Sequence, residues 1–204
     1  MSRRKKPTMP VLDVPDHLLG TLTENWRELG VASEAAGYAL QNSALRRWSV
    51  VEYVTEEVRR QAHDTTQPEG IRRVAWMLLA WDYACTRDGA KPTIDDVLVL
   101  GRMIEPEKNK AGLRTSGVVI KDSISGLVVK RFPPAEEVPR LLASLFEHGA
   151  ALTPLEFYKE FEMIHPFVDG NGRTGKVLLN WLGRSLLNPK FPPSDLFGES
   201  IRNP

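Results

Sequence analysis

The stretch Ile164-His165-Pro166-Phe167-Val168-Asp169-Gly170-Asn171-Gly172-Arg173-Thr174-Gly175-Lys176 sets a histidine, a carboxylate and two cations around a glycine-rich turn. Gly170, Asn171 and Gly172 tolerate left-handed backbone angles, and Val177, Leu178, Trp181, Leu182 and Leu186 after them mark one face of a helix. Successive amides in such a loop-to-helix junction can converge into an anion-binding nest. Arg173 and Lys176, three residues apart in the first turn, share a face and oppose the helix dipole by about a few tenths of a kcal/mol each. A bound polyphosphate reverses both penalties. One carboxylate with phosphate oxygens and waters is a common setting for Mg²⁺, and Asp169 supplies that carboxylate; the plainer alternative is that it caps the helix and pairs with Arg173. His165 can act as a base at neutral pH, its proton affinity tuned by a nearby helix C-terminus. The stretch is not a Walker A loop, because the Gly-Lys-Ser/Thr ending is absent.

Working back from it, Thr153-Pro154-Leu155-Glu156 is a capping box that opens a helix with Phe157, Phe161 and Ile164 on its core face. Pro166 disfavours a helical conformation at His165, so that residue stands where the chain leaves the helix. Before this come Glu136, Glu137 and Pro139 in the first turn of another helix, carrying Leu141, Leu142, Leu145 and Phe146 and closed by Gly149. The period changes at Val118-Val119-Ile120 and Leu127-Val128-Val129, two β-branched runs joined through Ser125-Gly126. Two strands alone are marginal in water, so this hairpin either lies on the helical body or accepts a partner strand.

Further toward the N-terminus, Ile94 to Ile104 and Glu69 to Cys85 read as helices, the second apolar nearly all round and therefore central. Ser33 caps a helix running to about Arg60, Asp16 to Leu29 carries the spacing of another, and residues 1 to 12 read as a basic tail. The division is a tail (1–12), an N-terminal helical segment (13–67) and a core (68–204) in a mainly α chain.

A net charge of +1 argues against a dedicated nucleic-acid binder. The longest apolar run, Val74 to Trp81, is far short of the ~20 residues that span a bilayer. The single cysteine, Cys85, reads as an inert core thiol in a reducing compartment, and the expectation is a cytoplasmic protein without membrane or nucleic-acid partners.

His165 to Lys176 closely resembles the signature of the Fic family, which normally ends in arginine. The likeness runs over roughly residues 68 to 190, where Arg114, the hairpin, and Phe132-Pro133-Pro134-Ala135-Glu136-Glu137-Val138 look like the family's flap and the helix after it. It implies a Fic fold, a helical bundle with a β-hairpin flap, and transfer of a nucleoside monophosphate, usually AMP from ATP, to a Ser, Thr or Tyr hydroxyl of a protein. By position it implies His165 as base, Asp169 as the Mg²⁺ ligand, and Gly170, Asn171, Gly172, Arg173 and Lys176 as nucleotide-binding residues. Phe167 would anchor the loop, and Val119, Ile120, Leu127 and Val128 would dock the target segment as an added strand.

Lys176 departs from the pattern: lysine keeps the charge but loses the planar fork that grips phosphate bidentately. Many family members are restrained by a glutamate in Ser/Thr-x-x-x-Glu-Gly/Asn. Thr65 to Gly70 has these letters, which nominates Glu69, although Pro68 would disrupt the helix expected to carry it. Two further readings stand beside AMP transfer. One is a nucleotide-binding or interaction module with weak or no catalysis, the other a toxin held by a separate antitoxin chain. Phosphate transfer of the Doc kind is disfavoured because Gly172 stands where that branch has lysine.

Overall fold

The computed structural model describes residues 48–121, 126–194 and 196; the expected tail, the helix at 16–29 and the start of the helix from Ser33 fall outside them. The described chain runs α1 (Trp48–Arg60), α2 (Pro68–Thr86), α3 (Ile94–Ile104), β1 (Val119–Lys121), β2 (Val128–Arg131), α4 (Val138–His148), α5 (Pro154–Ile164) and α6 (Asn171–Leu182). It is mainly helical, with one antiparallel pair of strands among the described residues.

Local chemistry accounts for the helix starts. Thr93 and Thr153 each accept a hydrogen bond from the backbone N–H three residues on, and the Asp96 and Glu156 carboxylates in turn accept one from the N–H of the cap residue. Pro68 and Pro154 stand in the first turns of α2 and α5, where a missing N–H costs nothing. The last helix is shorter than its apolar spacing suggests. It stops at Leu182, after which Gly183 and a left-handed Arg184 turn the chain and still bring Leu186 into the core.

The core is built where these helices meet. Met77, Leu78 and Trp81 of α2, Val97, Leu100 and Ile104 of α3, Phe157 and Phe161 of α5, and Val177, Leu178 and Trp181 of α6 are buried together. Both deep tryptophans satisfy their indole N–H groups: Trp81 donates to the carbonyl of Leu186 at 2.9 Å and Trp181 to that of Ala90 at 3.0 Å. Cys85 is partly buried among these helices, and burial pushes its thiol up to about 12, in keeping with the inert reading.

The segment after α6 straps α1 to the body. Lys190 gives its carbonyl to the Tyr53 hydroxyl at 3.3 Å and to Asn180 Nδ2 at 3.2 Å, and its N–H donates to Asn180 Oδ1 at 2.7 Å. Phe191 stacks on Tyr53, with the Arg60 guanidinium over its other side.

The hairpin is offset by a residue from the sequence reading, pairing Val119 with Arg131, Ile120 with Lys130 and Lys121 with Val128 across an irregularity at Ile120/Lys121. Val119, Leu127 and Val128 are exposed on it.

One packing contact fixes the motif loop to this body. Phe167 is fully buried, and its ring fills the place a side chain at residue 101 of α3 would occupy. Gly101→Ala is therefore expected to lose about 1–3 kcal/mol through overpacking and to displace the His165–Arg173 loop. Thermal melts, together with nucleotide binding by the surviving folded protein, check this.

Candidate active site

The base position is built by a helix end. α5 closes at His165, whose backbone is left-handed (φ 52°, ψ 62°), a conformation uncommon for a non-glycine residue. Proline after it disfavours the helical alternative, and Arg114 holds the strained turn in place. The buried guanidinium donates to the carbonyls of His165 at 2.7 Å, Pro133 at 2.7 Å and Ser116 at 2.9 Å, while the Arg114 N–H donates to Pro166 at 2.9 Å. One side chain thus fastens the hairpin base and the histidine loop together.

The imidazole stacks on Phe132 just after β2, with centroids 3.9 Å apart. Burial lowers the His165 pKa to about 4; the Glu162 backbone opposes this, and the cations Arg114 and Lys130 reinforce it. Burial thus outweighs the helix-end effect anticipated from the sequence, and the ring is neutral at pH 7, the state a base needs. Lys130 secures the hairpin to the end of α5 by its contact with Met163 Sδ at 3.2 Å.

The glycine-rich turn follows. Gly170, at φ 76°, is the N-cap of α6, and its N–H donates to Asp169 Oδ1 at 2.6 Å. The first N–H groups of α6 have no intrahelical partner by construction and face this turn. The Asn171 side chain is spent on the loop itself, accepting from the N–H of Phe167 at 2.8 Å and donating to its carbonyl at 3.0 Å. Its role as seen is bracing.

Arg173 lies in the first turn of α6. It is wholly buried, bonded to Glu105, to Gln61 Oε1 at 3.0 Å and to the carbonyl of Ile104, with Asp169 3.7 Å away. Glu105 also holds Arg73, which reaches Glu69 at 2.9 Å. Glu69 is thus an exposed partner of Arg73 in the first turn of α2. The carboxylate on Lys176 belongs to Glu57 of α1, at 2.7 Å.

Around Lys176 the acids are crowded. Glu57 is buried and Glu162 Oε1 is buried close to Gly175, and among the described residues neither Glu57 Oε2 nor Glu162 Oε1 has a hydrogen-bond partner. Burial pushes Glu162 up to about 7, with Lys176 acting downward and Glu57 upward. Gln61, just past α1, donates to Glu57 at 2.7 Å and lies against Gly172. Gln61 therefore lies over the glycine-rich turn, with Glu57 holding both it and Lys176.

Asp169 is the metal-type carboxylate. Burial would raise its pKa, but hydrogen bonds from Lys108 and from the Gly170 N–H outweigh this and hold it below the usual range. Ionised and about a third exposed, it fits Mg²⁺ as one hard oxygen donor completed by substrate phosphates and water; among the described residues no group of three or more metal-binding side chains gathers.

Sequence reasoning missed Glu57, Gln61, Glu105, Lys108 and Asn109. Glu57 carried a signal, since it falls on the apolar stripe Val50, Tyr53, Val54, Val58 of α1, where a charge needs a partner. The other four lie in polar turns that have no periodicity to read.

Residues 92–183 match the Fic/DOC family. Over these residues the chain is similar to the Fic/DOC family. The match spans α3 through the end of α6 and so includes the hairpin, Arg114, Glu105 and the motif loop, while Glu57 and Gln61 lie outside it. The chain is 27% identical over 136 residues to a uridine 5'-monophosphate transferase of Xanthomonas campestris pv. campestris, covering 57% of this chain and 25% of that one. It is 41% identical over 51 residues to the protein adenylyltransferase Fic of Drosophila persimilis, covering 23% and 9%. The chain therefore spans a quarter or less of the length of these curated relatives. A Fic family protein from Desulfovibrio desulfuricans G20 shares the fold at TM-score 0.55 and 22% identity, over 88% of this chain and 59% of that one. No described helix is long and apolar enough to cross a membrane.

The depressed His165 pKa has a consequence for folding. A histidine held neutral contributes stability that is complete above its ordinary value near 6.5 and is lost as pH falls toward about 4. His165→Gln is expected to flatten stability against pH between these limits. Urea unfolding at pH 7, 6 and 5, followed by circular dichroism, measures the slope for both proteins.

Proposed function

We propose that the chain transfers a nucleoside monophosphate, AMP from ATP, to a hydroxyl of a protein. The observation that carries this reading is the neutral His165, held in a left-handed turn by Arg114 beside the glycine-rich N-terminus of α6. In the step envisaged, the hydroxyl oxygen of the target bonds to the α phosphorus, the bond to the β-phosphate oxygen breaks, pyrophosphate leaves, and the hydroxyl proton passes to His165. The amides at the start of α6 stabilise the charge that develops on the phosphate oxygens. Asp169 would hold Mg²⁺, which neutralises phosphate charge when bound. The exposed Val119, Leu127 and Val128, with the paired Ile120, offer a strand edge for the target segment.

UMP is the second reading, favoured by the name of the relative that shares 136 residues with this chain. A nucleotide-binding module without catalysis is the contrasting class. Incubation with Mg²⁺ and ATP or UTP labelled at the α or the γ phosphate separates these outcomes. Label retained from an α-labelled nucleotide alone, and lost in His165→Ala, supports transfer; binding without label supports the module.

We also assign the restraint expected of Glu69 to Glu57, because Glu57 occupies Lys176 and holds Gln61, which lies over the turn. Glu57→Gln, its folded state verified by melting, is expected to raise labelling about fivefold or more, through release of about 1 kcal/mol of ion pairing. Unchanged labelling removes the assignment. Lys176→Arg, which restores a planar fork, is expected to tighten nucleotide binding, read by titration calorimetry.

A further inference from the structure

Lys108 stands on the loop after α3, between two buried side chains that leave the loop little freedom. Glu105 is locked between Arg73 and Arg173. Asn109 donates to the carbonyls of Gly101 and Asp169, both at 2.9 Å, and accepts from the Asp169 N–H at 3.4 Å. The loop that presents Lys108 is therefore fastened to the backbone of Asp169 itself. Its ammonium pairs with Asp169 Oδ2, while Oδ1 takes the Gly170 N–H.

That carboxylate oxygen is the hard donor a divalent cation would use. An ammonium and a divalent cation on the same carboxylate oxygen repel one another and share its charge, so arrival of the metal loosens the ammonium. Lys108 is about half exposed on a flexible four-carbon stem. Displaced from Asp169, its ammonium stays within a side chain's reach, and the densest negative charge then at hand is the polyphosphate brought in with the metal. Glu69, also within its electrostatic reach, is the competing partner.

We propose that Lys108 is a nucleotide-binding residue that exchanges partners, resting on the Asp169 carboxylate when no metal is present and on a phosphate oxygen of the metal-bound nucleoside triphosphate. This deepens the nucleotidyl-transfer reading and rests on it for the identity of the anion. No covalent bond changes; one ion pair replaces another.

The experiment is calorimetric titration of the full chain with an ATP analogue methylene-bridged between the α and β phosphates, once with Mg²⁺ and once with EDTA. Lys108→Met is expected to bind about tenfold more weakly than wild type with Mg²⁺ and about equally with EDTA, where the wild-type lysine stays on Asp169. Lys108→Arg should recover most of the loss. In EDTA, Asp169→Asn should bind more tightly than wild type, and the added Lys108→Met should cancel that gain.

Equal affinities in both media overturn the proposal and leave Lys108 as a surface ion pair. Equal weakening in both media also overturns it, because the exchange would then not depend on the metal. Failure of the wild type to bind the analogue, or the corresponding UTP analogue, brings down the transfer reading and this proposal together. Binding that ignores Lys108 brings down this proposal alone.

Discussion

The Glu105 carboxylate, buried and shared by two buried arginines, is the interaction on which the site depends. It stands one residue past α3, takes Arg73 from α2 and takes Arg173 from the first turn of α6. A buried ion cluster adds little net stability, but removing one member strands the others in low dielectric at a cost of about 3–5 kcal/mol. The cluster therefore acts as a registration device. It ties the α6 N-terminus to α2 and to the end of α3, and the glycine-rich turn inherits that placement. Arg114 does the equivalent for the other half of the site by tying His165, Pro133 and Ser116 to one planar group.

The described site is also closed in charge. Lys176 is held by Glu57, Arg173 by Glu105, and Asp169 by Lys108. A nucleotide entering such a site exchanges existing partners instead of finding open cations. The net change in free energy is then small for each contact, while selectivity comes from whether the incoming group satisfies every displaced partner at once. Geometry more than the number of charges decides what is accepted.

Much of this was legible in the residues. The capping boxes at Thr93 and Thr153, the prolines of α2 and α5, and the chain leaving the helix at His165 all follow from local rules that the folded chain obeys. The motif carried the family, and Phe167 lies in the core as the resemblance implied. What escaped is what only tertiary structure assembles. The spacing of Arg173 gave a face but not the depth at which the side chain is buried against Glu105. The Ser/Thr-x-x-x-Glu-Gly letters pointed to Glu69, yet α1 brings in Glu57 from a sequence with no such pattern. Lys108 and Asn109 sit in a polar turn whose composition would suit any solvated loop, and only the approach of Asp169 gives them a task.

The strap formed by Lys190 and Phe191 ties parts of the chain far apart in sequence. Tyr53, which it grips, lies one helical turn before Glu57 on the same face of α1. The seating of α1 is thus also decided one turn further along the same face of α6, at Asn180, by hydrogen bonds and ring contacts. Salt, pH and phosphate act directly on the ion pairs of the site, whereas the strap rests mainly on neutral hydrogen bonds and ring stacking. The position of Glu57 and Gln61 therefore answers to two influences: the ionic conditions at the site, and the fit of a largely uncharged joint one helical turn away.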